Sequence, residues 1–182
     1  MKRSLVAALV GFAFVPFAAH AQKHSSSPSS VKPVQFGIAG GAALPTSDLS
    51  NGANTGFNVG GTVAINALGW PVGFRIDGAY NRFGLKGASG DIHFTSVTGN
   101  LVYKLPAAAV TPYAIGGLGW YNAAANVTGF GGGSDNHWGW NAGGGISMPL
   151  SGFETYIEAR YNQVQGNGGS LKFIPVTFGV MF

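Results

Sequence analysis

Hydrophobic and polar residues alternate with a period of two along most of the chain, from about residue 35 to the carboxy-terminal residue. The last run shows the pattern most clearly, because large apolar residues occupy every second position: Ile174, Val176, Phe178, Val180 and Phe182. A β-strand sends successive side chains to opposite faces. This run therefore predicts a strand with one large apolar face and one smaller, mixed face. Similar alternation recurs in earlier runs, whereas the period of an amphipathic helix is not sustained.

Clusters of Gly, Pro, Asn, Asp and Ser separate these runs, as they commonly do between strands. The clusters lie at residues 45–54, 66–71, 84–91, 106–112, 123–136, 149–152 and 165–170. They delimit strands at about residues 35–44, 56–66, 72–83, 92–105, 112–122, 137–148, 153–164 and 171–182. A tilted strand needs about 9 to 11 residues to cross a bilayer, so runs of this length are long enough. The sequence predicts an all-β fold, an eight-stranded antiparallel up-and-down barrel.

The composition indicates which face of the barrel is apolar. Only 9% of the residues are charged, and 31 of the 182 residues are Gly. A typical soluble domain has about 25% charged residues, so this chain cannot cover the outside of a soluble barrel with charge. An apolar outer face around a polar lumen is the arrangement of a transmembrane barrel. A soluble periplasmic lipocalin-like ligand carrier, with the apolar face inside, is the alternative.

The few charges in the predicted strands fall on the faces with small and polar residues. They predict a lumenal ion-pair cluster of Arg75, Asp77, Glu154, Glu158 and Arg160. The third and seventh strands, which carry these residues, stand opposite each other in a ring of eight. The interior of such a barrel is just wide enough to be filled by side chains, so we expect the cluster to close the core. A narrow ion-conducting, porin-like channel is the alternative function.

Aromatic residues near the strand ends predict belts at the two membrane interfaces. Two aromatic residues, Phe173 and Trp120, occupy the lumen-facing positions in the alternation of their strands and are assigned to the lumen instead.

The amino-terminal segment has the features of an export signal. Lys2 and Arg3 precede an apolar run that ends in Ala19-His20-Ala21, the small-x-small pattern cleaved by signal peptidase. We therefore expect a signal peptide at 1–21, a Ser/Pro-rich flexible tether at 22–34 and the barrel at 35–182. Cleavage near Ala21 removes two of the ten basic residues, so the basic balance does not indicate nucleic-acid binding.

Together, the export signal, the eight alternating strands and the aromatic last residue resemble the small eight-stranded outer-membrane β-barrels of the OmpA/OmpX type. The resemblance covers about residues 34–182. It implies a location in the outer membrane, with both termini in the periplasm and short periplasmic turns. In that family the insertion machinery recognises the last strand, which implies that Phe178, Val180 and Phe182 form an insertion signal.

Residues capable of catalysis are present, but their spacing does not bring them together. Asp91, His93 and Ser96 are close in sequence, yet His93 and Ser96 have opposite parity in the fourth strand. A nucleophile and its base must lie within hydrogen-bonding distance. The chain also lacks Cys, which excludes disulfides and thiolate metal sites. We therefore predict a non-enzymatic protein without metal or cofactor; a lipid-modifying barrel enzyme remains an alternative.

The expected partners are outer-membrane lipid and lipopolysaccharide, together with the insertion machinery during biogenesis. Arg82, Lys86 and Lys172 lie toward the outer strand ends, where cations can bind the phosphates of lipopolysaccharide or simply extend to the interface. Closure leaves no strand edge to force association, so a monomer is expected. The predicted role is structural, or one of surface interaction through short extracellular loops.

Overall fold

The computed structural model describes residues 32–66, 71–105, 110–128, 131–166 and 169–182. Its strands and one short helix are β1 (Val34–Thr46), α1 (Asp48–Gly52), β2 (Gly56–Asn66), β3 (Val72–Gly84), β4 (Gly90–Lys104), β5 (Thr111–Val127), β6 (Gly131–Pro149), β7 (Glu154–Gly166) and β8 (Gly169–Met181). Each strand pairs with its neighbours in the chain, and β1 pairs with β8 to close the barrel. The predicted eight-stranded antiparallel barrel is confirmed. The predicted signal peptide and most of the tether lie outside the described residues.

The up-and-down topology gives the barrel two different ends. The end that carries both Lys32 and Phe182 is called the terminal end. There the backbones of Phe36 and Phe182 exchange hydrogen bonds of 3.2 and 2.7 Å. The opposite, hairpin end carries the β1–β2, β3–β4, β5–β6 and β7–β8 connections. Among the described residues, no helix is long and apolar enough to cross a membrane.

The outward-facing side chains are apolar and the inward-facing ones are largely polar. Ile38 and Leu118 are both 65% exposed on the outer face, whereas Thr62, Asn100 and Asn141 are buried inside. On β3, for example, the outer face is apolar from Val72 to Tyr80, which matches the length a tilted strand needs in hydrocarbon. A soluble lipocalin-like carrier requires the reverse arrangement. That alternative is therefore wrong for this barrel.

Two of the predicted connections contain regular structure. The cluster at 123–136 was expected to be a loop, but β5 continues to Val127 and β6 begins at Gly131. The turn-forming residues there pair in register across the two strands, because the ladder uses backbone groups and does not need large side chains. The cluster at 45–54 contains the single-turn helix α1, and its Leu49 is buried.

The two aromatic residues assigned to the lumen differ in outcome. Phe173 is 1% exposed and points inward as predicted, whereas Trp120 is 47% exposed on the outer face. Trp120 contacts Trp138 directly across the β5–β6 pair, with ring centroids 4.3 Å apart. The parity of Trp120 was assigned wrongly because Gly117 and Gly119 weaken the alternation around it.

Glycines on the two faces differ in the space around them. A Cβ atom at inward-facing Gly117 would lie 2.1 Å from the backbone oxygen of Gly99, whereas at outward-facing Gly78 it would meet no atom within 4 Å. We expect Gly117→Ala to lower the free energy of unfolding by about 1–3 kcal/mol, the usual range for overpacking. Gly78→Ala, the matched control, should leave it nearly unchanged. Urea unfolding in detergent micelles measures both, and equal stabilities would contradict the assigned facing.

Candidate functional sites in the lumen and at the hairpin end

Four charged side chains form a closed network in the middle of the lumen. The guanidinium of Arg75 contacts Asp77 at 3.0 Å and Glu158 at 2.8 Å. Arg160 contacts the same two carboxylates, with 3.0 Å to Asp77. Each carboxylate therefore contacts both guanidinium groups, and the formal charges cancel. Glu158 is only 2% exposed, so its ion pairs are shielded from bulk solvent.

The order of the charges along the strands brings opposite charges together. On β3 the cation Arg75 precedes the anion Asp77, while on β7 the anion Glu158 precedes the cation Arg160. Both strands begin at the terminal end, and residues two apart share one face of a strand. Because β3 and β7 stand on opposite sides of the barrel, Arg75 pairs with Glu158 and Asp77 pairs with Arg160 across the lumen.

Neutral side chains occupy the remaining hydrogen-bonding positions of both carboxylates. Thr62 and Asn100 donate to Asp77, the latter at 2.7 Å. The hydroxyl of Tyr113 donates to Glu158 at 2.8 Å. Buried charges are stable only when they are paired and hydrogen-bonded in this way.

Glu154 is not part of this network, although the sequence grouped it with the other four. Its carboxylate accepts a hydrogen bond of 2.9 Å from Lys104 at the terminal end of β4. Glu154 is the first residue of β7, and Glu158 lies four residues further along the strand. The distance along the strand separates Glu154 from Arg75 and leaves it next to Lys104.

Apolar side chains pack together in the lumen toward the hairpin end. Three phenylalanines meet there, with centroid distances of 5.0 Å between Phe94 and Phe173 and 5.6 Å between Phe83 and Phe173. Leu49 of α1 packs into the same cluster from the β1–β2 connection. The backbone N–H of Lys86 donates to Gly52 at 2.8 Å, which ties this connection to the β3–β4 connection.

A second apolar cluster lies toward the terminal end, and small polar cavities remain in the lumen. The cluster contains Tyr113 and Tyr156. One cavity of about 50 Å³ is lined by Glu158, and another of about 30 Å³ is lined by Arg75. A water molecule needs about 10–15 Å³ on this scale, so each cavity has room for only a few. The Arg75–Glu158 ion pair lies between them.

The three cations predicted to contact lipopolysaccharide are not brought together. Arg82 is half exposed and contacts Asp91 at 3.1 Å. The ammonium of Lys86 donates to the backbone oxygen of Ser50 at 2.7 Å. Lys172 lies on β8, separated from Arg82 on β3 by β1 and β2. Contact with lipopolysaccharide stays a prediction for each of them separately.

The candidate catalytic residues are divided between the two faces. His93 Nδ1 lies 3.1 Å from Asp91 Oδ2 near the hairpin end, while Ser96 is buried in the lumen. In the part of the chain that the structure describes, no group of three or more His, Asp or Glu side chains could hold a metal ion.

Two residues of the predicted insertion signal, Phe178 and Val180, lie on the outer face of β8, and Phe182 follows the strand directly. Phe178 and Phe182 are both more than half exposed. Their recognition by insertion machinery stays a prediction.

Comparison with known proteins identifies the family. A family model described as outer membrane protein beta-barrel domain matches residues 5–182. The chain belongs to this family. No match was found among curated protein sequences.

Solved structures of other outer-membrane proteins share the fold. Neisserial surface protein A (NspA) superposes with a TM-score of 0.68 at 18% identity, covering 82% of this chain and 96% of that protein. A major outer membrane protein from Thermus thermophilus gives 0.58 at 11% identity, covering 83% and 99%. The attachment invasion locus protein Ail of Yersinia pestis gives 0.52 at 21% identity, covering 83% and 100%. This member of the family is therefore an eight-stranded barrel of the outer membrane.

The lumenal network predicts a large difference between two alanine variants. Arg75→Ala leaves two buried carboxylates short of a partner, so it should lower the free energy of unfolding by about 3–5 kcal/mol. Lys104→Ala breaks the partly exposed pair with Glu154 and should cost about 1 kcal/mol or less. Urea unfolding of the detergent-folded barrels measures both. Equal costs would contradict the view that the members of the network are buried and depend on one another.

Proposed function

We propose that the protein is a non-conducting, non-enzymatic outer-membrane barrel that holds its hairpin end at the cell surface as a platform for contact with external partners. In this orientation both termini lie in the periplasm. The observation that carries the proposal is the buried ion-pair network of the lumen, which lies between two apolar clusters.

The filled lumen argues against transport of solutes. The aromatic cluster of Phe83, Phe94 and Phe173 lies across the path toward the hairpin end, and the Arg75–Glu158 pair separates the small cavities below it. An ion crossing this path would have to displace apolar side chains and break buried ion pairs. Water-filled channels are found in much larger barrels, of about 16 to 18 strands.

The hairpin end has the features expected of a surface that contacts partners. Two connections, β1–β2 and β3–β4, are joined by backbone hydrogen bonds, including Asn54 N–H to Gly84 O at 2.8 Å. β5 and β6 are the longest strands, with 17 and 19 residues against 11 in β2. Long hairpins on the outside and short turns on the inside are usual in outer-membrane barrels.

Planar-bilayer recordings test the filled lumen. The purified barrel should give no steady unit conductance, because a crossing ion would have to displace the aromatic cluster and break buried ion pairs. A large water-filled porin in the same bilayer serves as the positive control. Reproducible unit currents from the wild-type barrel would favour the ion-conducting alternative and contradict the proposal.

Single cysteines test the orientation without interference, because the natural chain contains none. Asn136→Cys lies at the hairpin end, and Ser151→Cys lies in the β6–β7 turn at the terminal end; both native residues are exposed. A membrane-impermeant maleimide should label Asn136→Cys in intact cells. Ser151→Cys should be labelled only after the outer membrane is permeabilised. The reverse pattern would place the hairpin end in the periplasm and overturn the platform role.

A further inference from the structure

The smaller of the two lumenal cavities, about 30 Å³ in volume, is called the terminal cavity because it lies toward the terminal end. Its lining includes Gln35, Asn66, Lys104 and Glu154, all of them at or next to strand ends. On the opposite side it is lined by Arg75 of the ion-pair network. The terminal cavity therefore lies between the mouth of the barrel and the guanidinium of Arg75.

One nitrogen of the Arg75 guanidinium is not used by the network. Nε donates to Asp77 at 3.0 Å, and Nη2 donates to the two oxygens of Glu158 at 2.9 and 2.8 Å. Within the described part of the chain, Nη1 makes no hydrogen bond. Arg75 is only 5% exposed, and a buried charged group without its hydrogen bonds is costly. An acceptor for Nη1 has to lie in the terminal cavity.

The charges around the terminal cavity favour an anion. The carboxylates that pair with Arg75 lie away from it, because Asp77 is two residues nearer the hairpin end and Glu158 lines only the other cavity. At the rim, Lys104 and Glu154 neutralise each other at 2.9 Å. The positive guanidinium therefore faces the cavity without a carboxylate on that side. Burial strengthens its attraction for an anion, because the effective dielectric constant is lower than in water.

The size of the terminal cavity limits which anion fits. A volume of about 30 Å³ holds about two or three water-sized particles. A halide ion is close to water in size and carries a single charge, so it fits beside the guanidinium. Sulfate and phosphate are larger, and apolar walls that include Val102 and Met181 offer them no hydrogen bonds.

We propose that the terminal cavity binds a small monovalent anion such as chloride, with Nη1 of Arg75 as its principal hydrogen-bond donor. Hydrogen bonds between a charged donor and an anion are among the strong ones in proteins. The bound anion completes the hydrogen bonding of the side chain that holds both carboxylates of the network. The Arg75–Glu158 pair closes the inner side of the site, so the anion is held there without crossing the lumen.

The linewidth of the chloride NMR signal measures this binding, because exchange with a bound site broadens the signal of free chloride. The full chain is folded in nanodiscs of zwitterionic lipid in sodium gluconate, whose anion is too large for the cavity. Chloride then replaces gluconate at constant ionic strength. The excess broadening should saturate and should be reversed by bromide but not by sulfate. Broadening that does not saturate would mean that water alone occupies the cavity, and would overturn the proposal.

Two leucine variants test whether the anion lies in the terminal cavity. Ala64 is buried and lines the cavity, so Ala64→Leu fills part of it without removing a polar group. Ala114 is exposed on the outer face of β5, so Ala114→Leu is the matched control. Ala64→Leu should weaken chloride binding about tenfold or more, whereas Ala114→Leu should leave it within about twofold. Equal binding by the two variants would place the anion elsewhere and contradict the proposal.

Two glutamine variants at the rim test the sign of the charge. Lys104→Gln and Glu154→Gln break the same ion pair, so they share any purely structural effect of its loss. They change the charge next to the cavity in opposite directions. Lys104→Gln should weaken chloride binding about threefold, and Glu154→Gln should strengthen it by a similar factor. A change in the same direction in both variants would rule out an anion in this cavity.

Urea unfolding gives an independent readout, because a ligand that binds only the folded state stabilises it. Replacing gluconate by chloride should raise the urea midpoint of the wild type and of Ala114→Leu, but not that of Ala64→Leu. Equal shifts in all three proteins would contradict the proposal. The heat-dependent gel shift checks that each variant is folded. These measurements use the isolated barrel, so a failure here is distinguishable from a failure of the surface role, which the labelling of intact cells decides.

Discussion

Backbone N–H and C=O groups inside hydrocarbon have no water to bind, so every one of them must be paired within the protein. In this barrel the requirement is met by eight antiparallel pairings, including the one between β1 and β8 that closes the ring. Closure in turn divides each strand into a lipid face and a lumen face. Beyond the membrane the requirement no longer applies. There the chain forms α1, and there β5 and β6 stay paired with each other as far as Val127 and Gly131.

The charges of the lumen depend on this closure. Arg75 and Asp77 meet Glu158 and Arg160 only because the ring places β3 opposite β7. The net contribution of such a network to stability is small compared with well-packed apolar residues, whereas the loss of one member is costly. Its clearer consequence is its position in the lumen, where the aromatic cluster lies toward the hairpin end and a cluster with two tyrosines lies toward the terminal end.

Much of this structure could be predicted from the sequence, because a period of two reports which face each residue occupies. The bounds of β2 were predicted to the residue, and the opposite positions of the third and seventh strands pointed to the pairing of their charges across the lumen. The alternation shows which face a residue occupies but not its position along the barrel axis, because the strands are tilted. Glu154 was therefore grouped with the wrong partners. The inward parity of Lys104 was the available signal for its true partner. Trp120 was misassigned where glycines interrupt the alternation. Leu49, the one large apolar residue in a polar connection, gave no sign that it packs into the cluster of Phe83 and Phe173.

Outer-membrane fractionation, followed by electrophoresis of unheated and boiled samples, tests most directly whether the apolar face of this closed barrel lies in lipid. A closed barrel stays folded in detergent and migrates differently until it is heated. The account predicts that the protein is found in the outer-membrane fraction and that its mobility changes on boiling. A soluble periplasmic protein with the same mobility before and after boiling would contradict it.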